Sequence, residues 1–90
     1  ADAAALGRIA GWLRENPARR VRLTGHCDPR GENEYNLGLG RRRAEAVRAW
    51  LERAGIETVR FETRTRGSSE TVSTSPGEYW RDRRVEFELL

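Results

Sequence analysis

The sequence has little of what marks a membrane-spanning, disulfide-bonded or zinc-binding protein. It contains one cysteine and one histidine, too few for an internal disulfide or a structural zinc site. Its apolar runs are only a few residues long, whereas a transmembrane helix needs about 20. No basic and then apolar leader opens the chain, so we expect any secretion signal or membrane anchor to lie outside it. Ninety residues, 37% of them hydrophobic, predict a single domain over residues 1–90 with no cofactor.

Lysine is absent as well. All 17 basic residues are arginine, the chain has 14 acidic residues, and the net charge is +3. This balance permits a polyanionic partner, but acids and bases alternate along the chain, which is typical of solvated faces. We therefore predict no nucleic-acid partner. Every cation is a planar guanidinium, which suits bidentate binding of carboxylates.

Hydrophobic periodicity and turn residues predict the element order α-β-α-β-(α)-β. Helices are expected over residues 2–15 and 35–54, and strands from Val21 to a turn at 28–31, over 59–65 and over 85–89. Gly55 has the composition of a left-handed helix cap, and Ser75 to Glu78 spells a capping box before a short helix through Tyr79 and Trp80. The pattern predicts an α+β fold in which helices cover one face of the sheet while the other face stays largely wet.

Arg43 breaks the pattern of the second helix. It falls in the middle of the apolar arc that runs through Leu39, Val47 and Trp50, so it is expected to point toward the sheet and to need an anionic partner. The nearest candidate is Asp28, at the end of the preceding strand. Two interpretations remain open: an Asp28–Arg43 ion pair that fastens helix to strand, or a split clamp that receives an ammonium and a carboxylate of one ligand.

The sequence supports a catalytic or metal-binding site less well than it supports an ion pair or a clamp at Asp28 and Arg43. His26 and Cys27 are neighbours in a strand and point to opposite faces, so they cannot act as base and nucleophile. The acidic residues Asp28, Glu32 and Glu34 are weak evidence for a metal on a loop. We predict no enzyme activity and no metal. The tryptophans lie on separate elements and are expected to pack in the core or at its rim: Trp12, Trp50 and Trp80.

A series of spaced residues over 21–88 resembles the OmpA-like C-terminal domain family, which includes the peptidoglycan-associated lipoproteins and the periplasmic part of flagellar motor stators. The matching residues are Gly25-His26-Cys27-Asp28, Gly31, Tyr35-Asn36, Leu39, Arg43-Ala44, Gly55 and Arg83-Arg84-Val85. The resemblance implies a two-layer sandwich with helices on one face of a small mixed sheet.

The resemblance also implies a function without catalysis. The family binds peptidoglycan stem peptides noncovalently through meso-diaminopimelate in the bacterial periplasm, and so anchors an envelope protein to the cell wall. Asp28 matches the family's aspartate for the ligand ammonium, and Arg43 matches its arginine for the ligand carboxylate. Asn36 and Arg83 match residues that line the pocket. On this view the Asp28–Arg43 ion pair is the resting state of the clamp.

The sequence also departs from the family pattern. Cys27 replaces a usual threonine or alanine, Gly38 a frequent serine, and Asp82 an asparagine, and Asp82 is expected to weaken the grip of Arg83 on a carboxylate. A proline common in the stretch 67–73 is missing. The family normally begins with a strand carrying a Phe-Asp pair, whereas this chain starts in the first helix.

Either that strand is cut away or unseen, or this is a variant that lacks it. In the second case one sheet edge is left unpaired, which invites a homodimer or strand donation by a partner. The alternative function is therefore a degenerate module used for protein assembly without a ligand.

Overall fold

The structure, a computed structural model, describes residues 3–71, 73 and 75–90, and over this part of the chain the predicted element order is confirmed. None of the helices in these residues is long and apolar enough to cross a membrane. The elements are α1 (Ala3–Glu15), β1 (Val21–His26), α2 (Asn33–Arg53), a 3₁₀ helix (Thr58–Arg60), β2 (Phe61–Gly67), a second 3₁₀ helix (Pro76–Arg81) and β3 (Val85–Leu89).

The three described strands form one mixed sheet in the order β2-β1-β3. The central strand β1 runs parallel to β2 and antiparallel to β3. The crossover from β1 to the parallel strand β2 is made by α2, as a parallel connection requires. At the end of β1 the backbone N–H of Cys27 still donates to the carbonyl of Gly67, at 2.8 Å. The α+β class with a small mixed sheet, expected above, is confirmed.

Both helices cover the same face of the sheet. The alternation of β1 turns Val21 and Leu23 toward the helices, and both side chains are buried there. The other buried apolar members of this core are Leu6, Ala10, Leu13, Ala44, Val47, Leu51, Ile56 and Phe61. On the opposite face Arg22 lies between Glu62, at 2.9 Å, and Glu88, at 3.1 Å, so that face carries ion pairs rather than a second core.

The buried face of α2 differs from the predicted one. Its buried residues are Asn36, Gly40, Ala44, Val47 and Leu51. At about 100° per residue they span an arc of about 80°, and Arg43 lies about 20° beyond its edge rather than in its middle. The helix has therefore turned its small residues toward the sheet and left Leu39 and Trp50 half-buried on its flank.

The reason is a close backbone contact between β1 and α2. A Cβ added at Gly25 would overlap the carbonyl oxygen of Gly40, and a Cβ added at Gly40 would overlap the Thr65 hydroxyl and lie 2.8 Å from the Gly25 oxygen. The Thr65 hydroxyl also donates to the carbonyl of Leu37, at 2.7 Å. A face of glycine and alanine thus lets the start of α2 lie directly on the carboxyl end of β1.

Two local predictions are wrong in detail. Strand β2 begins at Phe61 rather than Val59, because Thr58–Arg60 forms a 3₁₀ turn and Val59 is exposed. Three backbone carbonyls, of Leu13, Asn16 and Arg19, accept hydrogen bonds from Arg60 and hold this turn against the end of α1. Ser75 starts the second 3₁₀ helix without a side-chain cap, so the predicted capping box is not formed.

Other local predictions hold. Helix α1 ends at Glu15, directly before the Asn16-Pro17 stop. Gly55 follows α2 with φ of 98°, the left-handed conformation expected of its cap. Trp12 is exposed at 36% and lies under the guanidinium of Arg19, a rim position. The side chain of Trp80, also expected in the core or at its rim, lies outside the described residues.

Gly25→Ala is expected to lower the free energy of unfolding by about 1–3 kcal/mol or more, because the added methyl group forces α2 away from β1. Gly11→Ala is the matched control: it lies inside α1, where a Cβ meets no atom within 4 Å, and is expected to raise stability by about 0.5–1 kcal/mol. Urea unfolding followed by circular dichroism measures both. Equal stability of Gly25→Ala and the wild type would contradict the close contact.

Candidate ligand-binding site

The structure brings all four predicted site residues to one cavity at the carboxyl end of β1. This cavity, called the Asp28 cavity below, has a volume of about 360 Å³. It is lined by Asp28, Asn36, Arg43 and Arg83 together with Cys27, Arg30, Gly31, Tyr35 and Leu39. Its walls come from the turn after β1, the first three turns of α2 and the segment before β3.

The expected Asp28–Arg43 ion pair is not formed. The carboxylate of Asp28 instead accepts a bidentate pair from Arg30, with Nε at 3.0 Å from Oδ1 and Nη2 at 2.7 Å from Oδ2. The backbone N–H of Arg30 also donates to Oδ1, at 3.1 Å, and Arg83 Nη1 donates to Oδ2, at 3.4 Å. Arg30, two positions away in the same turn, reaches the carboxylate more directly than Arg43, which lies on the flank of α2.

These contacts set the ionisation of Asp28, which is 7% exposed. The hydrogen bonds from Arg30 lower the pKa of this carboxyl to about 2, against a raising effect of burial. Its usual value is 3.8. The carboxylate is therefore negatively charged at any physiological pH, and among the described residues it is the only carboxylate that lines the cavity.

Arg43 is held by a backbone group instead of a carboxylate. Its Nη1 donates to the carbonyl oxygen of His26, at 2.9 Å, and its side chain is half-buried. A half-buried guanidinium at the margin of the helix face keeps access to water and can do without a buried counter-charge. Among the residues that the structure describes, no carboxylate forms an ion pair with Arg43.

Asn36 connects three segments around the cavity. It is 2% exposed, and its Nδ2 lies 3.4 Å from the hydroxyl oxygen of Ser68. Its backbone carbonyl accepts a hydrogen bond from the thiol of Cys27, at 3.1 Å. Burial raises the pKa of that thiol, and Cys27, which is 2% exposed, packs as a small core residue.

The carboxylate of Asp82 is engaged within its own loop. It is fully buried and accepts hydrogen bonds from the backbone N–H of Ser73, at 3.2 Å, and from the Ser73 hydroxyl. Arg84 Nη1 lies 3.9 Å from it. Asp82 thus closes the loop that precedes β3, and Arg83 is left to reach Asp28.

His26 and Cys27 face opposite sides of the sheet, as predicted. The His26 ring is buried on the face away from the helices, where Nε2 lies 3.5 Å from a Glu86 oxygen and neither ring nitrogen has a hydrogen-bond partner among the described residues. The backbone carbonyl of His26 is the group that accepts a hydrogen bond, from Arg43. Burial, followed by the charge of Arg84, lowers the pKa of His26 and favours the neutral ring.

The charges of the Asp28 cavity define what it can bind. Three guanidinium groups, of Arg30, Arg43 and Arg83, surround one carboxylate, so the lining carries two more positive than negative charges. Such a lining suits a ligand with more than one carboxylate and at least one cationic group. In the described part of the chain no three His, Cys, Asp or Glu residues are grouped as a metal site.

Sequence reasoning missed Arg30 and Tyr79. The guanidinium of Arg30 lies over the Tyr79 ring, with its central carbon 5.3 Å from the ring centroid. Arg30 occupies the turn Asp28-Pro29-Arg30-Gly31, and the spacing of two from Asp28 was a signal that could have been used, since such turns fold back on themselves.

Comparison with known proteins identifies the family of this chain. The family model described as "OmpA family" matches residues 1–84. The peptidoglycan-associated lipoprotein of Brucella melitensis is 41% identical over 68 residues, 76% of this chain and 40% of the relative. That of Rhizobium meliloti is 43% identical over 74 residues, 81% of this chain and 42% of the relative. The chain thus spans about two fifths of the length of these curated relatives.

Solved structures agree. The crystal structure of the peptidoglycan-associated lipoprotein from Burkholderia pseudomallei superposes with a TM-score of 0.92 at 32% identity, over 97% of this chain and 75% of that one. The C-terminal domain of Helicobacter pylori MotB superposes with a TM-score of 0.85 over 97% of this chain and 70% of that one, and at 19% identity it supports the fold alone. With a family model that matches nearly its full length, this chain belongs to the OmpA family.

Proposed function

We propose that this domain binds peptidoglycan noncovalently through the diaminopimelate of its stem peptide, and that it anchors an envelope protein to the cell wall in the bacterial periplasm. The observation that carries the proposal is the gathering of Asp28, Asn36, Arg43 and Arg83 around one cavity with an excess of guanidinium groups. Membership in the OmpA family and the names of the relatives support it.

Each group has a chemical role in this proposal. Asp28, ionised and nearly buried, receives the ligand ammonium. Arg43 uses its planar fork for a ligand carboxylate while one nitrogen stays anchored on the His26 carbonyl. Arg83 contributes a second guanidinium at the same cavity, and the buried amide of Asn36 forms part of the wall. No step makes or breaks a covalent bond, so the domain acts as a binding module rather than an enzyme.

Asp28→Ala and Arg43→Ala are each expected to weaken binding to purified sacculi at least about 30-fold, because each removes one partner of a desolvated charge pair. Co-sedimentation at a series of protein concentrations measures the loss. Glu45→Ala and Arg48→Ala, on the same helix but away from the cavity, are matched controls expected to bind like the wild type. Unchanged retention of both site variants, with cooperative melts, would refute the proposal.

Sacculi that carry lysine in place of diaminopimelate are expected to retain the wild type at least about tenfold less well. Lysine keeps the ammonium but lacks the second carboxylate, and a hydrogen bond to a charged group contributes about 1.5–3 kcal/mol. The preference is expected to disappear in Arg43→Ala, which no longer reads that carboxylate. Equal retention of the wild type on both kinds of sacculi would show that the second carboxylate is not recognised.

A second candidate function, protein assembly through a sheet edge, is favoured by β3. This strand lies at the edge of the described sheet, and Leu89, at 51% exposure, leaves apolar surface there. A homodimer or a donated strand would cover this surface.

Multi-angle light scattering is expected to give a dimer mass if the edge assembles the protein, with or without a soluble stem peptide. A monomer mass in both conditions would reject self-assembly.

A further inference from the structure

The carboxylate of Asp28 is already occupied by an internal cation. Oδ1 accepts hydrogen bonds from the backbone N–H and Nε of Arg30, and Oδ2 accepts Nη2 of Arg30 at 2.7 Å and the more distant Arg83 Nη1 at 3.4 Å. Both carboxylate oxygens are therefore engaged, and Arg30 makes the shortest contact with each of them. An ammonium group that approaches Asp28 meets this guanidinium first.

The guanidinium of Arg30 can leave the carboxylate of Asp28 without leaving the surface of the protein. Its side chain is 63% exposed, whereas that of Asp28 is 10% exposed. The Tyr79 ring offers its guanidinium an aromatic surface at 5.3 Å that does not depend on the carboxylate. A swing about its side-chain torsions can thus move the guanidinium off Asp28 into water while the backbone N–H of Arg30 keeps its bond to Oδ1.

Arg83 is a poorer candidate for this exchange. Its single contact with Asp28 is 3.4 Å long, and its backbone follows the buried Asp82, which is tied to Ser73. Arg83 can therefore stay in place as a second, weaker donor while a ligand cation replaces the guanidinium of Arg30. A guanidinium and an alkyl ammonium each carry one positive charge and donate hydrogen bonds through N–H groups, so one can replace the other on Asp28.

We propose that Arg30 is a built-in competitor for the ligand cation: its guanidinium occupies the ammonium position on Asp28 in the free protein and must be displaced when a ligand binds. This inference rests on the proposed function, because it needs a ligand whose cation goes to Asp28. The consequence is specificity for ligands that carry both charges. A ligand with only a cation must displace Arg30 from Asp28, whereas a ligand that also has carboxylates gains a second contact with Arg43. Arg30 is thus a specificity-determining residue.

Arg30→Gln is expected to tighten binding of a soluble diaminopimelate-containing tripeptide about two- to fivefold in isothermal titration calorimetry, the range given by a solvent-exposed ion pair. A second measurement does not involve ligand. The carboxyl of Asp28, followed by NMR titration, is expected to move from a pKa of about 2 toward its usual 3.8 in this variant, since the Arg30 hydrogen bonds are the main cause of the lowered value. Arg48→Gln, which removes an arginine paired with Glu52, is the matched control and should change neither result.

The outcomes separate this inference from the proposed function. Unchanged or weaker tripeptide binding by Arg30→Gln, while Asp28→Ala abolishes binding, overturns the competitor role and leaves the clamp standing. An unshifted pKa of Asp28 in Arg30→Gln also overturns it, because the guanidinium then does not hold the carboxylate. Wild-type tripeptide binding by Asp28→Ala removes the proposed function, and the competitor with it.

Discussion

The backbone contact between Gly25 and Gly40 positions everything else in the site. Because neither residue has a side chain, α2 lies against the carboxyl end of β1 closely enough for groups on each to bond across the gap. Asn36 lies one turn before Gly40 and receives the thiol of Cys27, and Arg43 lies one turn after it and reaches the His26 carbonyl. A wider separation would break both bonds and move the two predicted ligand-binding residues of α2 away from Asp28.

The electrostatics of the site follow from one nearly buried acid among several arginines. Burial alone would raise the pKa of Asp28, but the guanidinium groups outweigh it and hold the carboxylate in its charged form. In exchange, the carboxylate restrains Arg30 and Arg83, whose side chains are otherwise largely exposed. Arg43 is not drawn into this network, because its contact is with the carbonyl oxygen of His26. The cavity therefore contains guanidinium groups bound to the carboxylate and one bound to the backbone.

Much of this could be predicted from the sequence, because periodicity reports where each element begins and which face is covered. The order of elements, the end of α1 at Glu15 and the cap at Gly55 all followed from local patterns. The face of α2 did not, since hydrophobicity favours Leu39 and Trp50 while packing favours Gly40 and Ala44. Only the facing strand reveals that a glycine surface is the one that fits.

The pairing of charges was the least predictable part. The sequence offers seventeen arginines for fourteen acidic residues, and hydrophobic periodicity does not rank the possible pairs. The structure selects Arg30 for Asp28 because a turn brings it back onto the same strand end, and it selects Ser73 and Arg84 for Asp82 because that acid is enclosed by the loop before β3. Asp82 is thus a fully buried carboxylate with partners on its own loop, and it stabilises the backbone from which Arg83 extends to the cavity.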